Sequence, residues 1–180
     1  MGKQQPNLSA ELIKFIDQQN IFFVATALKE GRINLSPKGI DSFRFINDKS
    51  VAWLNLTGSG NETAAHLRKD PRMTIMFCAF EGNPKIVRLY GTARVYHPRD
   101  PEWDKLINLF PGIPGSRQII DLKIELVQTS CGMGVPYMDY KGERDQLPPW
   151  AENKGKEGLH EYMKLKNSTS LDGHPTGIFE

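Results

Sequence analysis

Cysteine is scarce in these 180 residues: Cys78 and Cys131 are the only two, in unrelated segments without Cys-x-x-Cys or Cys/His ligand spacing. That scarcity excludes a disulfide framework and a structural zinc site, and it points to a reducing compartment. An excess of one charge is also missing. Lys and Arg number 23 against 21 Asp and Glu, a net charge of +2 with the signs interspersed, so there is no basic stripe of the kind that tracks nucleic acid. No apolar run approaches membrane-spanning length. The opening Met1-Gly2-Lys3-Gln4-Gln5-Pro6 has no apolar signal core, and Pro6 breaks the myristoylation pattern that Met1-Gly2 begins. The expectation is a cytoplasmic protein that takes neither membrane nor nucleic acid as partner. Internal repeats and low-complexity tracts are lacking too. With 39% hydrophobic and 24% charged residues, the chain is composed like an ordinary globular domain with an appendage.

The apolar pattern is mostly of period two. After a helix capped by Ser9, with Leu12, Ile13, Phe15 and Ile16 on its apolar face, residues 21–28 and 32–36 form a hairpin turned at Lys29-Glu30-Gly31. Further strands are predicted over 42–46, 51–56, 72–80, 85–96 and 119–129. In the last of these Ile120, Leu122, Ile124 and Leu126 alternate with polar residues, so one face meets a core. Two helices interrupt the strands, one over about 62–69 and one from Asp100-Pro101 to Phe110. Many hairpin-linked strands with few helices indicate a mainly β protein, an antiparallel barrel or sandwich. Composition shifts after Pro136, which divides the chain into a domain over 1–136 and a C-terminal extension over 137–180. The extension is polar and Gly/Pro-rich, with one helical stretch around 157–165. It is expected to pack on the barrel or on a second subunit through Tyr137, Tyr140, Trp150, Leu159, Tyr162 and Met163.

The run Trp53-Leu54-Asn55-Leu56-Thr57-Gly58-Ser59-Gly60-Asn61-Glu62-Thr63 carries an apolar strand into a small-residue loop and then a helix. Gly58 and Gly60 permit close backbone approach, and Ser59, Asn61 and Thr63 add donors, as a phosphate cradle requires. The spacing fits equally well a plain connection in which Ser59 is the N-cap and Glu62 completes a capping box. Asn34-Leu35-Ser36-Pro37-Lys38-Gly39 places a lysine at a strand end, where its ammonium can meet a phosphate or simply face solvent. Arg88, in the apolar strand Ile86 to Gly91, must face water, a carboxylate or a ligand. Cys131, between small residues and with no activating neighbour in sequence, reads as packed and inert. The histidines at 66, 97, 160 and 174 form no triad or ligand spacing, and no metal site is expected.

The ordered set FFVATA (22–27), INLSPKG (33–39), WLNLTGSGNETAAHLRKDPR (53–72), MTIMFCAF (73–80), VRLYGTARV (87–95) and SCGMGVP (130–136) resembles the FMN-binding split-barrel group related to pyridoxamine 5′-phosphate oxidase. The resemblance spans about residues 9–136. It implies a six-stranded antiparallel split β-barrel, a homodimer and FMN at the subunit interface. By position it implies that Ser36 and Lys38 meet the FMN phosphate, that Trp53, Leu54 and Asn55 lie along ring and ribityl chain, and that Thr57, Gly58, Ser59, Asn61, Glu62 and Thr63 hold the phosphate. Arg88 would be an interface contact. Where the oxidases carry Ser-Arg-Lys, this chain has Asn61-Glu62-Thr63, so two cationic contacts are gone and a carboxylate is added. A glutamine through which the oxidases reach the flavin from the partner falls near Ile86, and the oxidases' C-terminal segment that reads pyridoxamine phosphate has no counterpart. The implied function is hydride transfer between FMN and an unidentified small molecule or electron donor, by an oxidoreductase other than that oxidase. The alternatives are a non-catalytic flavin carrier or sensor, and a split barrel that binds haem or a deazaflavin.

Overall fold

The computed structural model describes residues 2–180, so Met1 of the broken myristoylation pattern lies outside the described residues. In chain order the elements are β1 (Gln4–Gln5), α1 (Ala10–Asp17), β2 (Phe22–Thr26), β3 (Asn34–Lys38), β4 (Phe43–Asn47), β5 (Ser50–Leu56), α2 (Glu62–Leu67), β6 (Arg72–Cys78), β7 (Ile86–Tyr96), α3 (Trp103–Ile107), β8 (Ser116–Ser130) and α4 (Leu147–Asn167). The strands make one antiparallel sheet in the order β3-β2-β6-β7-β8-β5-β4, and β1 adds to β8. The seven strands of the path are those of the apolar pattern. The implied count of six falls short of the eight found, because β1 is a two-residue addition to β8 and the edge pieces β3 and β4 are both paired.

The sheet curls on itself. Phe22 of β2 and Phe43 of β4, from strands near opposite ends of the order, pack edge to face with ring centroids 5.2 Å apart, and both contact Phe77 of β6. This aromatic group, with Val24, Trp53, Ile75, Leu89, Ile120 and Leu122, fills the interior, and α1 contributes Leu12 and Ile16. Burial of each such side chain contributes about 1.5–3 kcal/mol, which is what holds the curl. A second, smaller cluster lies on the outer face, where Ala52, Leu54, Ile119 and Phe110 meet the α3 region.

The alternation expected for β8 breaks after Ile124. Tyr90 pairs with Leu126 and Gly91 with Ile124, so Glu125 is an extra residue, a β-bulge that reverses the phase. Val127 enters the core in place of the expected Leu126, which is only partly buried. Gly91 permits the bulge, since a Cβ there would collide with the Lys123 carbonyl.

The C-terminal extension departs most from the sequence reading. Residues 137–145 have no helix or strand, and Tyr137, Met138 and Tyr140 are exposed, so within the protomer their side chains are not the buried anchors expected of Tyr137 and Tyr140. α4 is longer than the helix expected over 157–165. It begins with Pro148 and Pro149 in its first turn, where the missing N–H groups do no harm, and breaks at Gly155, whose φ of 62° no helix accommodates. Trp150 and Tyr162, on either side of that break, pack edge to face at 5.1 Å. No helix among the described residues is long and apolar enough to cross a membrane.

Candidate functional site

Period-two alternation in β3 turns Asn34, Ser36 and Lys38 to one face and Leu35 outward. That polar face, the end of β5, the loop 58–61, the start of α2 and Arg117 of β8 enclose a cavity of about 290 Å³. Ser36, Lys38, Asn55, Gly58, Ser59, Asn61, Glu62 and Thr63 all line it.

The cavity is cationic at its floor. Lys38 is buried far enough that desolvation, with Arg117 as a like-charged neighbour, lowers its pKa from 10.5 to about 8. Arg117 is 5% exposed, and desolvation lowers its pKa to about 10, against a small opposing effect of the Tyr162 phenol. Its Nη2 donates to the Gly60 carbonyl at 2.8 Å, while Nε and Nη1 are buried without a partner. Among the described residues neither cation is paired with a carboxylate. A half-buried lysine and a buried arginine with unspent donors can together receive an anion.

A polar network surrounds them. Lys38 Nζ reaches Asn55 Oδ1 at 3.5 Å, and Asn55 Nδ2 donates to Gln118 Oε1 at 3.1 Å. Asn34 Nδ2 donates to Thr26 Oγ1 and Thr63 Oγ1, Ser36 Oγ donates to Asn34 Oδ1, and Thr26 Oγ1 meets His66 Nδ1 at 3.0 Å.

The capping box does not form. Asn61 occupies the N-cap of α2 and makes no side-chain cap bond, and Glu62 Oε1 instead accepts from the Leu171 backbone N–H at 3.0 Å. The extension therefore reaches the loop. Asn167, fully buried, donates from Nδ2 to the Gly58 carbonyl at 2.9 Å, and its own carbonyl accepts from Asn61 Nδ2 and Thr176 Oγ1.

Four residues of the expected set stand elsewhere. Trp53 and Leu54 are 0% and 1% exposed, and the alternation of β5 buries them in the interior and outer clusters respectively, so neither offers a ligand a side-chain surface. Thr57 is buried and donates to the Gly115 carbonyl at 2.8 Å, which ties the end of β5 to the turn before β8. Arg88 donates to Ser130 Oγ at 3.1 Å, away from this cavity. Cys131 lies exposed in the loop after β8, not packed as expected, because the strand ends at Ser130. Asn34 and Arg117 are the residues the sequence did not reveal. Only the alternation Asn34, Ser36, Lys38 could have singled out the first, and nothing in Gly115-Ser116-Arg117 marks the second.

A larger cavity of about 810 Å³ borders the first, and Lys38 lines both. Its wall includes Ile40, which with Asp41 adopts the left-handed backbone conformation (φ 60° and 47°), costly for a β-branched residue. Ser42 holds the turn, since its Oγ donates to the Gly39 carbonyl at 2.6 Å. Among the described residues no three His, Cys, Asp or Glu side chains converge as metal ligands would.

Comparison with known proteins agrees with this architecture. The chain is 39% identical over 189 residues to the pyridoxamine 5′-phosphate oxidase family protein ustO of Aspergillus flavus, over 94% of this chain and 75% of that protein. The crystal structure of HupZ from Group A Streptococcus superposes with a TM-score of 0.53 at 21% identity, over 66% of this chain and 91% of HupZ. The FAD binding protein of Mycobacterium smegmatis does so with a TM-score of 0.51 at 14% identity, over 70% and 97% of the two chains. At such identities the structural likenesses concern the fold. Residues 8–131 match the sequence profile of pyridoxamine 5′-phosphate oxidase, and with the 39% identical relative this shows that the chain belongs to the pyridoxamine 5′-phosphate oxidase family.

Proposed function

We propose that this protein is a flavoprotein that binds FMN with its phosphate in the cavity between β3, the loop 58–61 and β8, and that it serves as an oxidoreductase on a small molecule. The observation that carries this reading is the pair of carboxylate-free cations, half-buried Lys38 and buried Arg117, beside the Thr63 hydroxyl. A terminal phosphate monoester supplies the charge and the acceptor atoms that this set lacks. Arg117 makes good the cationic contacts missing from Asn61-Glu62-Thr63, and Glu62 is occupied by the Leu171 amide. The cavity that adjoins at Lys38 provides room for the rest of a flavin and for a substrate. A structural relative carries the name of an FAD binding protein, which favours a flavin over an unrelated phosphate ester.

Bound flavin would supply hydride transfer. The chain's own residues would do the rest: Lys38, Arg117 and Thr63 bind and orient the phosphate, Asn55, held from behind by Gln118, lines the cavity beside it, and the buried strand end excludes water. Haem is disfavoured, because no histidine lines the cavity and the buried His66 is engaged with Thr26. The protein is proposed to act as a homodimer. Ile33 just before the edge strand β3 and Leu35 on it, 77% and 65% exposed, and Tyr137 on the extension leave apolar surface that a second copy would cover.

The absorbance spectrum of the purified protein, followed by titration with FMN and riboflavin, tests the cofactor. FMN bound at least tenfold more tightly than riboflavin is the expected result, and equal affinities would overturn the phosphate site. NADPH oxidation by the FMN-loaded protein, faster than by free FMN, would separate an oxidoreductase from a flavin carrier or sensor.

A further inference from the structure

We infer that Asn34 is a positioning residue that sets the direction of the hydrogen bonds in the cradle, so that Thr63 presents a proton to the cavity and the site accepts an acceptor-rich group such as a phosphate monoester. The inference rests on the proposed flavin phosphate site for the identity of that group. Its own content is the hydrogen-bond polarity, which follows from counting donors.

The Asn34 amide nitrogen has two protons, and both are spent, at 3.1 Å on Thr26 Oγ1 and at 3.0 Å on Thr63 Oγ1. Each threonine oxygen is therefore an acceptor toward Asn34 and keeps its own proton for another partner. For Thr26 the one acceptor in reach among the described residues is His66 Nδ1 at 3.0 Å, so satisfying that buried proton assigns Nδ1 as the acceptor and the ring proton to Nε2. The Thr63 oxygen accepts from Asn34 and, among the described residues, has no acceptor for its proton, and Thr63 lines the cavity with Lys38 and Arg117. Ser36 spends its proton on Asn34 Oδ1 at 2.8 Å and so offers the cavity lone pairs only. Thr26, Thr63 and His66 are 3%, 5% and 1% exposed, so water does not readily rearrange the chain of bonds.

A chain from His66 through Thr26 and Asn34 thus ends in one aimed donor. With one lone pair of Thr63 taken by Asn34 and its proton free, an acceptor-rich ligand group gains a directed hydrogen bond there that an ammonium, which has no lone pair, cannot take.

Side-chain 15N NMR of His66 in the flavin-free protein is the direct test. The expected result is an unprotonated Nδ1, and a protonated Nδ1 would overturn the inference whether or not the protein binds flavin. The second test is a double-mutant cycle read by FMN and riboflavin affinity. In the unaltered protein Thr63→Val should weaken FMN about tenfold and riboflavin less than twofold. Asn34→Asp replaces the donating amide with a carboxylate that draws the Thr63 proton inward, so in that background Thr63→Val should cost less than twofold. The same tenfold loss in both backgrounds would mean that Asn34 does not orient Thr63, and would overturn the inference while leaving the phosphate site in place. If the unaltered protein binds neither FMN nor inorganic phosphate, the flavin reading falls and the His66 tautomer still decides the network.

Discussion

Lys38 and Arg117 face one cavity from strands separated by three others in the sheet, with like charges and no carboxylate paired to either. Such an arrangement costs stability in the empty protein: holding Lys38 charged against a pKa lowered to about 8 corresponds to about 3 kcal/mol. In the proposed function, a bound phosphate offsets that cost.

Lys38→Met should therefore act in opposite directions on binding and on stability. FMN affinity is expected to fall by about tenfold to a hundredfold, the range for a charge-assisted hydrogen bond, with little change for riboflavin. The ligand-free protein should melt at the same or a higher temperature, since an unpaired buried charge is gone. Arg117→Met should cost FMN affinity likewise, but its melting temperature should gain less, because the Gly60 carbonyl loses its donor. Fluorescence titration and thermal unfolding check both, and a Lys38→Met protein that melts markedly lower would place Lys38 in a structural ion pair.

The Lys38 shift also sets a pH dependence. The folded-state pKa, about 8, lies below the unfolded value of 10.5, so between them the unfolded chain holds more protons and the empty protein gains stability as pH rises; below about 8 both states are protonated and the cost is constant. A bound anion favours the ammonium and opposes this. FMN affinity should be level from about pH 6.5 to 8 and then fall, by up to tenfold per unit, while riboflavin affinity stays flat. Titrations at pH 7, 8 and 9 check this, and an FMN affinity unchanged at pH 9 would remove Lys38 from the phosphate.

The parts of the site that the sequence made legible are those close together in the chain. The loop 58–63 and the strand end at Lys38 announce themselves by small residues and a Pro-Lys-Gly turn. Arg117 does not, because 57 residues separate it from the Gly60 carbonyl it meets, and beside Gly115-Ser116 it looks like a solvated turn residue until β8 carries it inward. Trp53 misled for a related reason: alternation fixes that it faces one side of β5, but only the curl of the sheet makes that side the aromatic interior. The capping box failed because a local pattern cannot show that Leu171, 109 residues away, will claim the Glu62 carboxylate. Leu126 failed because a bulge at Glu125 leaves no local mark.

Homodimerisation can be tested apart from flavin. Leu35 lies on the edge strand β3 and Ile33 just before it, where unpaired backbone and apolar side chains invite a partner. Sedimentation at low micromolar concentration should give a dimer, and Leu35→Lys should shift it toward monomer while the circular dichroism of the barrel is retained. A monomer with full FMN affinity would show that the site is complete within one chain.

Asn167 joins the extension to the cradle. Its side chain is wholly buried, it donates to the Gly58 carbonyl, and its backbone carbonyl takes Asn61 and Thr176. Asn167→Ala leaves the Gly58 carbonyl without that donor, an expected cost of about 1–3 kcal/mol. The loop that carries Ser59 and Gly60 should then be held less firmly, so FMN affinity is expected to fall several-fold and hydrogen exchange of the 58–62 amides to rise. His160→Ala, on the same helix, loses only an edge-to-face contact with the exposed Phe179 and should move neither. If Asn167→Ala lowers the melting temperature yet leaves FMN affinity and the loop amides unchanged, the extension supports the barrel and not the cradle, and Asn61 holds the loop by its place at the start of α2 alone.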